Sequence, residues 1–401
     1  MTASIRPLSK TATAVDPADI VRRIRGALPV AETRVALHEP RFLGNEKRYL
    51  DDCIDTGWVS YGGAYVDRFE RALAECCSVA HAVAVTSGTV ALQVALQVGG
   101  LRPGDEVLVP ALTFVAAANA VVHAGGVPHF VDTEERTLGV CPMALSAHLA
   151  QIGEQRDSAL HNRQTGRRIA ALLPVHVFGH PTDMDALVDI AHQHKLLLVE
   201  DASEALGSFY KGRPCGSLAL LAALSFNGNK VVTTGGGGAI LTDDHALAER
   251  IRHLTTTAKQ PHPWAFVHDA VGWNFRLPNV NAALGLAQLE RLPPMVAAKQ
   301  RLWRRYAECF ADATGLRLFA DAPFAASNHW LVSLILDAGK ESCLEPILAA
   351  TNGAGLATRP AWVPMHELSI YAGNPRAPLP VTESLARRII NLPSSPFLAP
   401  P

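Results

Sequence analysis

The chain has 401 residues, enough to bury a large core, and its 36 basic and 37 acidic residues give a formal net charge of −1. With no basic run and no acidic tail, this balance argues against a nucleic-acid or membrane surface, so small polar substrates are the expected partners. The seven cysteines form no CxxC pair, which argues against a disulfide framework and a structural metal centre. The N-terminus lacks an apolar signal segment, and we expect a reduced, cytoplasmic protein.

The first part of the chain is predicted to be a tail followed by two helices. Residues 1–15 are rich in Ser, Thr and Ala, and Asp16-Pro17 is a helix start from which a helix should run to about Leu28. A second helix is predicted over residues 44–56. It ends in the glycine-broken loop GWVSYGGAY, which is either a ligand or partner contact or a plain connector.

From residue 66 to 200, apolar runs alternate with helix-like segments. The runs are His81–Val85, Glu106–Val109, Pro128–Val131, Ala170–Val177 and Leu196–Val199. The helices are expected near residues 87–99, 114–124, 142–151 and 182–194. This alternation predicts right-handed crossovers and a mostly parallel sheet covered on both faces, with residues 156–168 as a surface loop.

Beyond about residue 250 the pattern changes to a smaller α+β arrangement. We predict an apolar helix within NVNAALGLAQLERL, a long amphipathic helix over Val296–Phe310 and a strand over Trp330–Leu336. A helix over Ser342–Ala350, with Ser342 as a possible N-cap, and a last helix before Asn391 follow. The predicted division is therefore a tail and helix (1–31), a large α/β domain (32–250) and a small α+β domain (251–401).

Two residues in the large domain suggest a cofactor site. Asp201 ends a predicted parallel strand, and Lys230 follows further along, beside Ser225 and Asn227. A carboxylate at the edge of a sheet and a partly desolvated amine suit pyridoxal phosphate (PLP), the acid binding the ring nitrogen and the amine the aldehyde. The alternatives are a helix N-cap for Asp201, a solvated surface charge for Lys230 and a capping-box role for Glu204.

Further segments add parts of such a site. A helix beginning at Gly88 and Thr89 would present backbone N–H groups to a phosphate. Phe114 could stack on an aromatic ring, and His176 could also contact the cofactor, although both residue types more often belong to the core. The run Gly235–Gly238 does not fit the GxxxxGK[ST] order, so we interpret it as a tight turn between strands.

The chain resembles the DegT/StrS-type nucleotide-sugar aminotransferases, which are PLP enzymes of the aspartate aminotransferase fold (fold type I). The resemblance covers roughly residues 35–395 and rests on six segments in consistent order: TSGTVAL, VPALTFVAAANAV, PVHVFG, VEDASEALGS, SFNGNKVVTTGGGGAILTDD and RLPNVNAALGLAQLERL. It implies transfer of an amino group, usually from L-glutamate, to a keto carbon of a nucleotide-linked deoxysugar.

The resemblance also implies residue roles. Lys230 would be the catalytic lysine, Asp201 the partner of the ring nitrogen and Glu204, where relatives often have glutamine, a contact to the ring hydroxyl. The phosphate would be held by Gly88, Thr89 and Ser225. Phe114 would stack on the ring. Asn274 would reach the cofactor of the other subunit in a homodimer with shared sites.

The segments around residues 38–70 and 358–366 are most similar to enzymes that aminate C4 of UDP-linked 4-keto-6-deoxy sugars in surface-glycan pathways. The substrate-side candidates that follow are Trp58, Tyr61, Arg359, Trp362 and His366. Two alternatives stay open: a PLP-dependent sugar dehydratase, in which a histidine replaces the lysine, and a catalytically silent regulatory relative.

Overall fold

The computed structural model describes residues 15–29 and 33–399. The prediction of a loose tail falls mostly on residues 1–14, outside this described part. Asp16 and Pro17 begin the first helix as predicted, and the Asp16 carboxylate accepts a hydrogen bond from the N–H of Ala18 at 3.0 Å. In the described ranges, no helix is both long enough and apolar enough to cross a membrane.

The helices and strands largely follow the predicted pattern. The helices are α1 Pro17–Ala27, α2 Glu46–Asp55, α3 Ala64–Cys77, α4 Gly88–Val98, α5 Val115–His123, α6 Pro142–Ile152, α7 Met184–His194, α8 His245–Thr255, α9 Asn279–Leu289, α10 Leu292–Cys309, α11 Leu344–Gly353 and α12 Pro380–Ala386. The strands are β1 His81–Val85, β2 Glu106–Pro110, β3 Val127–Val131, β4 Gly153–Arg156, β5 Ala159–Asn162, β6 Ile169–Leu172, β7 Leu197–Asp201, β8 Phe209–Tyr210, β9 Arg213–Pro214, β10 Leu221–Ser225, β11 Gly238–Thr242, β12 Leu316–Leu318, β13 Ala325–Ala326, β14 Val332–Leu336, β15 Arg359–Pro360 and β16 Ile389–Leu392.

The large sheet has seven strands in the order β1-β11-β10-β7-β6-β2-β3. Strands β10, β7, β6, β2 and β3 run parallel, whereas β11 is antiparallel to both β1 and β10. Helix α4 contacts β10, β11 and β7, and α5 contacts β2 and β3. The predicted α/β class with a mostly parallel, mixed sheet is confirmed, and the parallel strands bring their carboxyl ends to one edge.

A second sheet, of four antiparallel strands in the order β12-β14-β16-β15, forms the smaller unit. Its apolar core contains Leu302 and Tyr306 of α10 and also Ile20 and Ile24 of α1. Helix α1 therefore packs with the C-terminal part of the chain. In contrast, α9 packs against α2 and α3 in the core of the large sheet.

Three local predictions were wrong, each for an identifiable reason. The predicted strand over residues 170–177 stops at Leu172, because Pro174 cannot donate to a strand ladder. The predicted loop over residues 156–168 contains β5 and the turn that pairs it with β4 in a hairpin, and the turn residues Asp157 and Ser158 have φ of 48° and 66°. Helix α11 is capped by Cys343 and not by Ser342, because a 3₁₀ turn precedes it.

Candidate active site

A cavity of about 310 Å³ lies where the carboxyl ends of β7 and β10 face the N-terminus of α4. Polar groups at the ends of neighbouring parallel strands converge there, as expected for an open α/β sheet. The residues that line it are Ser87, Gly88, Thr89, Leu92, Phe114, Ala116, Asp201, Ser203, Glu204, Ser225, Asn227, Asn229, Lys230, Gly236, Gly237, Trp330 and Trp362.

Lys230 projects into this cavity from the turn that follows β10. Its Nζ lies 3.1 Å from Glu204 Oε1 and 3.8 Å from the centre of the Trp330 ring, and its side chain is 12% exposed. The Trp330 indole N–H donates to the backbone oxygen of Asn229 at 2.7 Å, so the ring is tied to the same turn. A carboxylate and an aromatic face therefore hold a mostly buried amine in one position.

Two carboxyl groups lie on the same side of the cavity. Asp201 is the last residue of β7, and its Oδ1 accepts the N–H of Ser203 at 3.1 Å. Burial raises the pKa of the Asp201 carboxyl despite that hydrogen bond and the nearby Lys230. The Ser203 hydrogen bond and Lys230 offset only part of the cost of burying this carboxyl. Because it lies beside an open cavity, it can bind a cationic N–H group of a ligand.

Glu204 is held by the backbone as well as by Lys230. Its Oε2 accepts the N–H of Phe178 at 2.8 Å. Phe178 has a φ of 56°, in the left-handed region that favours glycine, and this conformation belongs to the 3₁₀ turn at residues 177–179. Burial raises the pKa of Glu204 although Lys230 opposes the shift, so this carboxyl can retain a proton more readily than an exposed glutamate.

The opposite wall is a cradle formed by the start of α4. Ser87 caps the helix through a 3.2 Å bond from the N–H of Val90, and the N–H groups of Gly88 and Thr89 are the first two of the helix. Such groups have no partner within their own helix and bind anions. A Cβ on Gly88 would lie 2.8 Å from the Ser225 Cβ, so glycine is required for this close approach.

Strand β11 packs directly under the cradle. A Cβ on Gly238 would lie 2.5 Å from the Ser87 carbonyl and 2.6 Å from the Gly88 nitrogen. Gly235 has a φ of 79°, and Gly236 and Gly237 line the cavity. The predicted role of this glycine run, a tight turn that packs backbone close to the site, agrees with these positions.

Phe114 and Trp362 form the remaining wall, and Phe178 packs behind Trp362. Phe114 is 51% exposed at the start of α5, and its ring centre lies 6.3 Å from that of Trp362. Trp362 in turn packs on Phe178, with ring centres 4.7 Å apart. The exposed face of Phe114 is therefore available for stacking on a planar ligand.

These groups fit the cofactor that the sequence predicts. PLP requires an amine for its aldehyde, an acid for its ring nitrogen and an anion site for its phosphate. Lys230, Asp201 and the Gly88–Thr89 cradle supply these three in one cavity. When bound, PLP supplies an electron sink that makes the carbon atom next to the transferred nitrogen acidic.

The structure places other predicted residues away from the cavity wall. His176 is buried behind the site, where its Nε2 is 2.8 Å from Glu200 and its Nδ1 accepts the N–H of Thr182 at 3.1 Å. The backbone of Asn274 pairs with Thr256, and this residue does not line the cavity of the single chain as described.

Among the substrate-side candidates, only Trp362 lines the cavity. Trp58 and Tyr61 are 60% and 44% exposed on the loop before α3. The Arg359 guanidinium donates to the Asn352 side chain at 2.8 Å, and His366 Nε2 lies 3.3 Å from Glu383. Arg359 therefore contacts a neighbour within the smaller unit, and His366 contacts α12.

The sequence analysis missed several residues of the wall, of which Trp330 is the most informative. The segment around Trp330 reads as an ordinary strand, and nothing in its local pattern indicates a contact with Lys230. Ser203, two residues after Asp201, and Asn229, next to Lys230, could have been found by extending the predicted turns. The full set of missed wall residues is Ser87, Leu92, Ala116, Ser203, Asn229 and Trp330.

Comparison with known proteins gives consistent matches along the chain. Residues 42–400 match the model of the DegT/DnrJ/EryC1/StrS aminotransferase family. The GDP-perosamine synthase of Caulobacter vibrioides is 36% identical over 363 residues, which are 90% of this chain and 93% of that protein. The dTDP-3-amino-3,4,6-trideoxy-alpha-D-glucose transaminase of Streptomyces venezuelae is 35% identical, covering 84% of each chain.

A solved structure shows the same architecture. The DegT/DnrJ/EryC1/StrS aminotransferase from Brucella abortus superposes with a TM-score of 0.79 at 29% sequence identity. The match covers 88% of this chain and 91% of that chain. The likeness therefore includes both the large sheet and the smaller unit.

Proposed function

Because the chain belongs to the DegT/DnrJ/EryC1/StrS aminotransferase family and is a PLP-dependent aminotransferase, we propose a specific reaction for it. It aminates the C4 keto group of a nucleotide-linked 4-keto-6-deoxy sugar, with L-glutamate as donor. The observation that carries the proposal is the position of Lys230, which shares one cavity with Asp201 and the α4 cradle. Retention of this lysine disfavours the dehydratase alternative.

The roles of the site residues follow from their positions. The N–H groups of Gly88 and Thr89, with Ser225, would bind the phosphate of PLP, and Asp201 would keep the ring nitrogen protonated. Lys230 Nζ removes the proton from the α-carbon of the donor, and in the second half of the reaction it returns a proton to the carbon that receives the amine. Glu204, 3.1 Å away, orients that Nζ.

The nucleotide is the least determined part of the substrate. The sequence alone suggests UDP, whereas the relatives described above carry GDP and dTDP in their names. Because the GDP-perosamine synthase relative has the highest identity of these and spans nearly the whole chain, we place GDP first. Trp362, which lines the cavity beside Phe114, is apolar surface available to the sugar.

A panel of substrates tests the proposal. Purified protein with PLP and glutamate is offered GDP-, UDP- and dTDP-linked 4-keto-6-deoxy sugars, and both 2-oxoglutarate and the sugar product are measured by mass spectrometry. We expect an aminated product with the highest kcat/KM for the GDP sugar. If glutamate is consumed in the first half-reaction but no keto sugar is aminated, the proposed acceptor class is wrong. Loss of water without gain of nitrogen would identify a dehydratase.

We also propose that the enzyme is a homodimer with shared sites. The segment that precedes Asn274 exposes three large apolar side chains: Trp264 is 81%, Phe266 79% and Val271 92% exposed. Burial of such a patch by a second copy would stabilise the pair and bring Asn274 to the other subunit's site.

Mixed dimers test the shared site. Lys230→Ala and Asn274→Ala chains, each of low activity alone, are coexpressed with different tags, and the mixture is assayed. If Asn274 acts across the interface, half of the sites in a mixed dimer are intact, and about a quarter of wild-type activity returns at random assortment. Activity no greater than the sum of the two variants would show that Asn274 acts in its own chain or not at all.

A further inference from the structure

Three side chains that the transamination chemistry does not use meet at the junction of the large sheet and the smaller unit. His180 Nδ1 lies 3.0 Å from Asp321 Oδ1, and His329 Nε2 lies 3.9 Å from Asp321 Oδ2. One nitrogen of each histidine and one carboxylate oxygen all lie within 4.8 Å of one another. His180 follows the 3₁₀ turn of the large domain, and the other two residues flank β13.

His329 lacks the hydrogen bonds that a buried imidazole normally makes. The residue is 4% exposed, and in the described part of the chain its Nδ1 has no partner. Its Nε2 faces Asp321 at 3.9 Å, which is too far for a hydrogen bond. A buried ring nitrogen without a partner is costly. The gap between Nε2 and the carboxylate has the width that a bound cation would fill.

The surrounding residues hold this group in place. Trp303 stacks on the His329 ring with an interplanar angle of 10°, and Phe319 packs edge-on against His180. The N–H of Ser327 donates to Asp321 Oδ2 at 2.9 Å. His329 has a φ of 46°, a left-handed conformation that is uncommon for this residue and that the neighbouring contacts maintain. The three side chains are thus fixed before any ligand binds.

The trio is also open to solvent on one side. Asp321 keeps 25% of its side chain exposed, which gives a route for entry and for a water ligand.

We propose that His180, Asp321 and His329 form a binding site for one divalent transition-metal ion of the zinc type. Two imidazoles and one carboxylate are ligands that such an ion prefers, and bonds of about 2.0–2.2 Å require donor atoms about 3.3–3.5 Å apart in a tetrahedral site. The observed separations of 3.0 and 3.9 Å bracket that value. This revises the expectation of no metal, which the cysteine spacing suggested.

The comparison with a second group of ligand atoms supports the assignment. His176, Glu200 and Cys215 are also close together, but all three are completely buried. Glu200 already accepts N–H groups from Gly216 at 2.5 Å and Leu218 at 2.8 Å, in addition to His176. The hydrogen bonds of that group are made within the protein, and it is closed to solvent. In the trio at the junction, His329 Nδ1 has no partner among the described residues and Asp321 is partly exposed.

The ion would join two parts of the chain close to the active site. The segment that carries His329 docks on the large domain through Asn328, whose side chain donates to the backbone oxygens of Glu204 and Leu206 at 2.9 Å each. Trp330, the residue after His329, lies over Lys230. We therefore expect the metal to stabilise the fold without taking part in the chemistry.

The test uses untagged, PLP-saturated protein that has been treated with EDTA and then given ZnCl₂, without amino acid substrate. We expect one zinc per chain by elemental analysis and a higher thermal midpoint with zinc than with EDTA. His329→Gln and Asp321→Asn should each weaken binding at least about 100-fold, measured by calorimetry. Asp321 is partly exposed, so its isosteric variant should fold normally, and the visible absorbance of the bound cofactor checks this.

Two controls exclude other zinc sites. His253→Gln removes a surface pair in which His253 Nε2 lies 2.6 Å from Asp269. Within residues 15–29 and 33–399 no third ligand joins this pair, so the variant should keep the zinc. Lys230→Ala should also keep it, because the site does not involve the cofactor. Absence of zinc from the wild type, retention in both ligand variants, or loss in Lys230→Ala would overturn the proposal.

Discussion

Carboxyl groups are buried at both ends of the large sheet, but they have more hydrogen-bond partners at the amino end than at the carboxyl end. At the amino end, Glu106 is completely buried and is bound by His129 Nδ1 at 2.8 Å, Asn162 at 3.0 Å and Thr165 at 2.5 Å. Although burial alone would raise it, the bonds from His129, Thr165 and Asn162 hold the pKa of Glu106 below its ordinary value. The protein itself therefore supplies the hydrogen bonds that the Glu106 carboxylate needs.

At the carboxyl end, Asp201 and Glu204 are buried with fewer partners, and burial raises the pKa of both. A cavity of about 310 Å³ lies beside them. The difference indicates that a satisfied buried acid stabilises the fold, whereas a partly satisfied one next to open space is prepared for a ligand. Four predictions test this distinction.

The largest effect should come from Lys230 at the carboxyl end. Lys230→Ala removes the group that moves the proton, so we expect turnover to fall by at least about 10³-fold and the visible absorbance of PLP-loaded protein to change. The matched control is Lys211→Ala, whose amine pairs with Asp185 at the surface and should leave the rate unchanged. Normal turnover in Lys230→Ala would remove the basis of the proposed function.

Next in size is the effect of Asp201→Asn. The amide keeps an oxygen for the N–H of Ser203 but removes the charge that holds the ring nitrogen protonated, so kcat should fall about 10²- to 10³-fold. Steady-state kinetics with saturating PLP measure this. Asp105→Asn, at the other end of the sheet, breaks the contact with Arg168 and should not change kcat. Equal losses in the two variants would contradict the distinction between the ends.

The third prediction concerns stability at the amino end. Glu106→Gln weakens a buried network, so the free energy of unfolding should fall by about 1–3 kcal/mol, while kcat/KM at a permissive temperature stays within about twofold of wild type. Urea denaturation followed by circular dichroism gives the first quantity. A large loss of kcat/KM without loss of stability would mean that this network serves the chemistry.

The smallest effect is the pH dependence of stability in cofactor-free protein. The folded pKa of Glu106 lies below its unfolded value of 4.5, so its contribution is present above that pH and is lost as the pH falls through the folded pKa. The folded pKa of Asp201 lies above its unfolded value of 3.8, so its ionisation costs stability as the pH rises from there through the folded pKa.

Thermal midpoints of the two variants between about pH 2.5 and pH 8 test these opposite signs, with the Glu106 effect expected below pH 4.5 and the Asp201 effect above pH 3.8. Relative to wild type, cofactor-free Asp201→Asn should become more stable as the pH rises, and Glu106→Gln should become less stable. Parallel curves for the two variants would show that the two acids are held in the same way.

Much of the site could be predicted from local sequence signals. Asp201 follows a continuous apolar run, and Gly88 and Thr89 begin a helix directly after another strand, so the sheet topology brings them together. Trp330 could not be predicted, because its contact with Lys230 depends on how the smaller unit docks on the large one. Arg359 and His366 were predicted from segments typical of substrate loops, and in the described chain they contact Asn352 and Glu383 and do not line the cavity.

The sequence by itself determined the alternation of strands and helices and the cofactor chemistry, and it predicted Lys230 as the amine, because these depend on periodicity and on short motifs within single elements. Only the tertiary structure decided which side chains line the cavity and which histidines surround Asp321. His180 and His329 are far apart along the chain, and their meeting depends on the packing of two separate cores. No local pattern of residues encodes that packing.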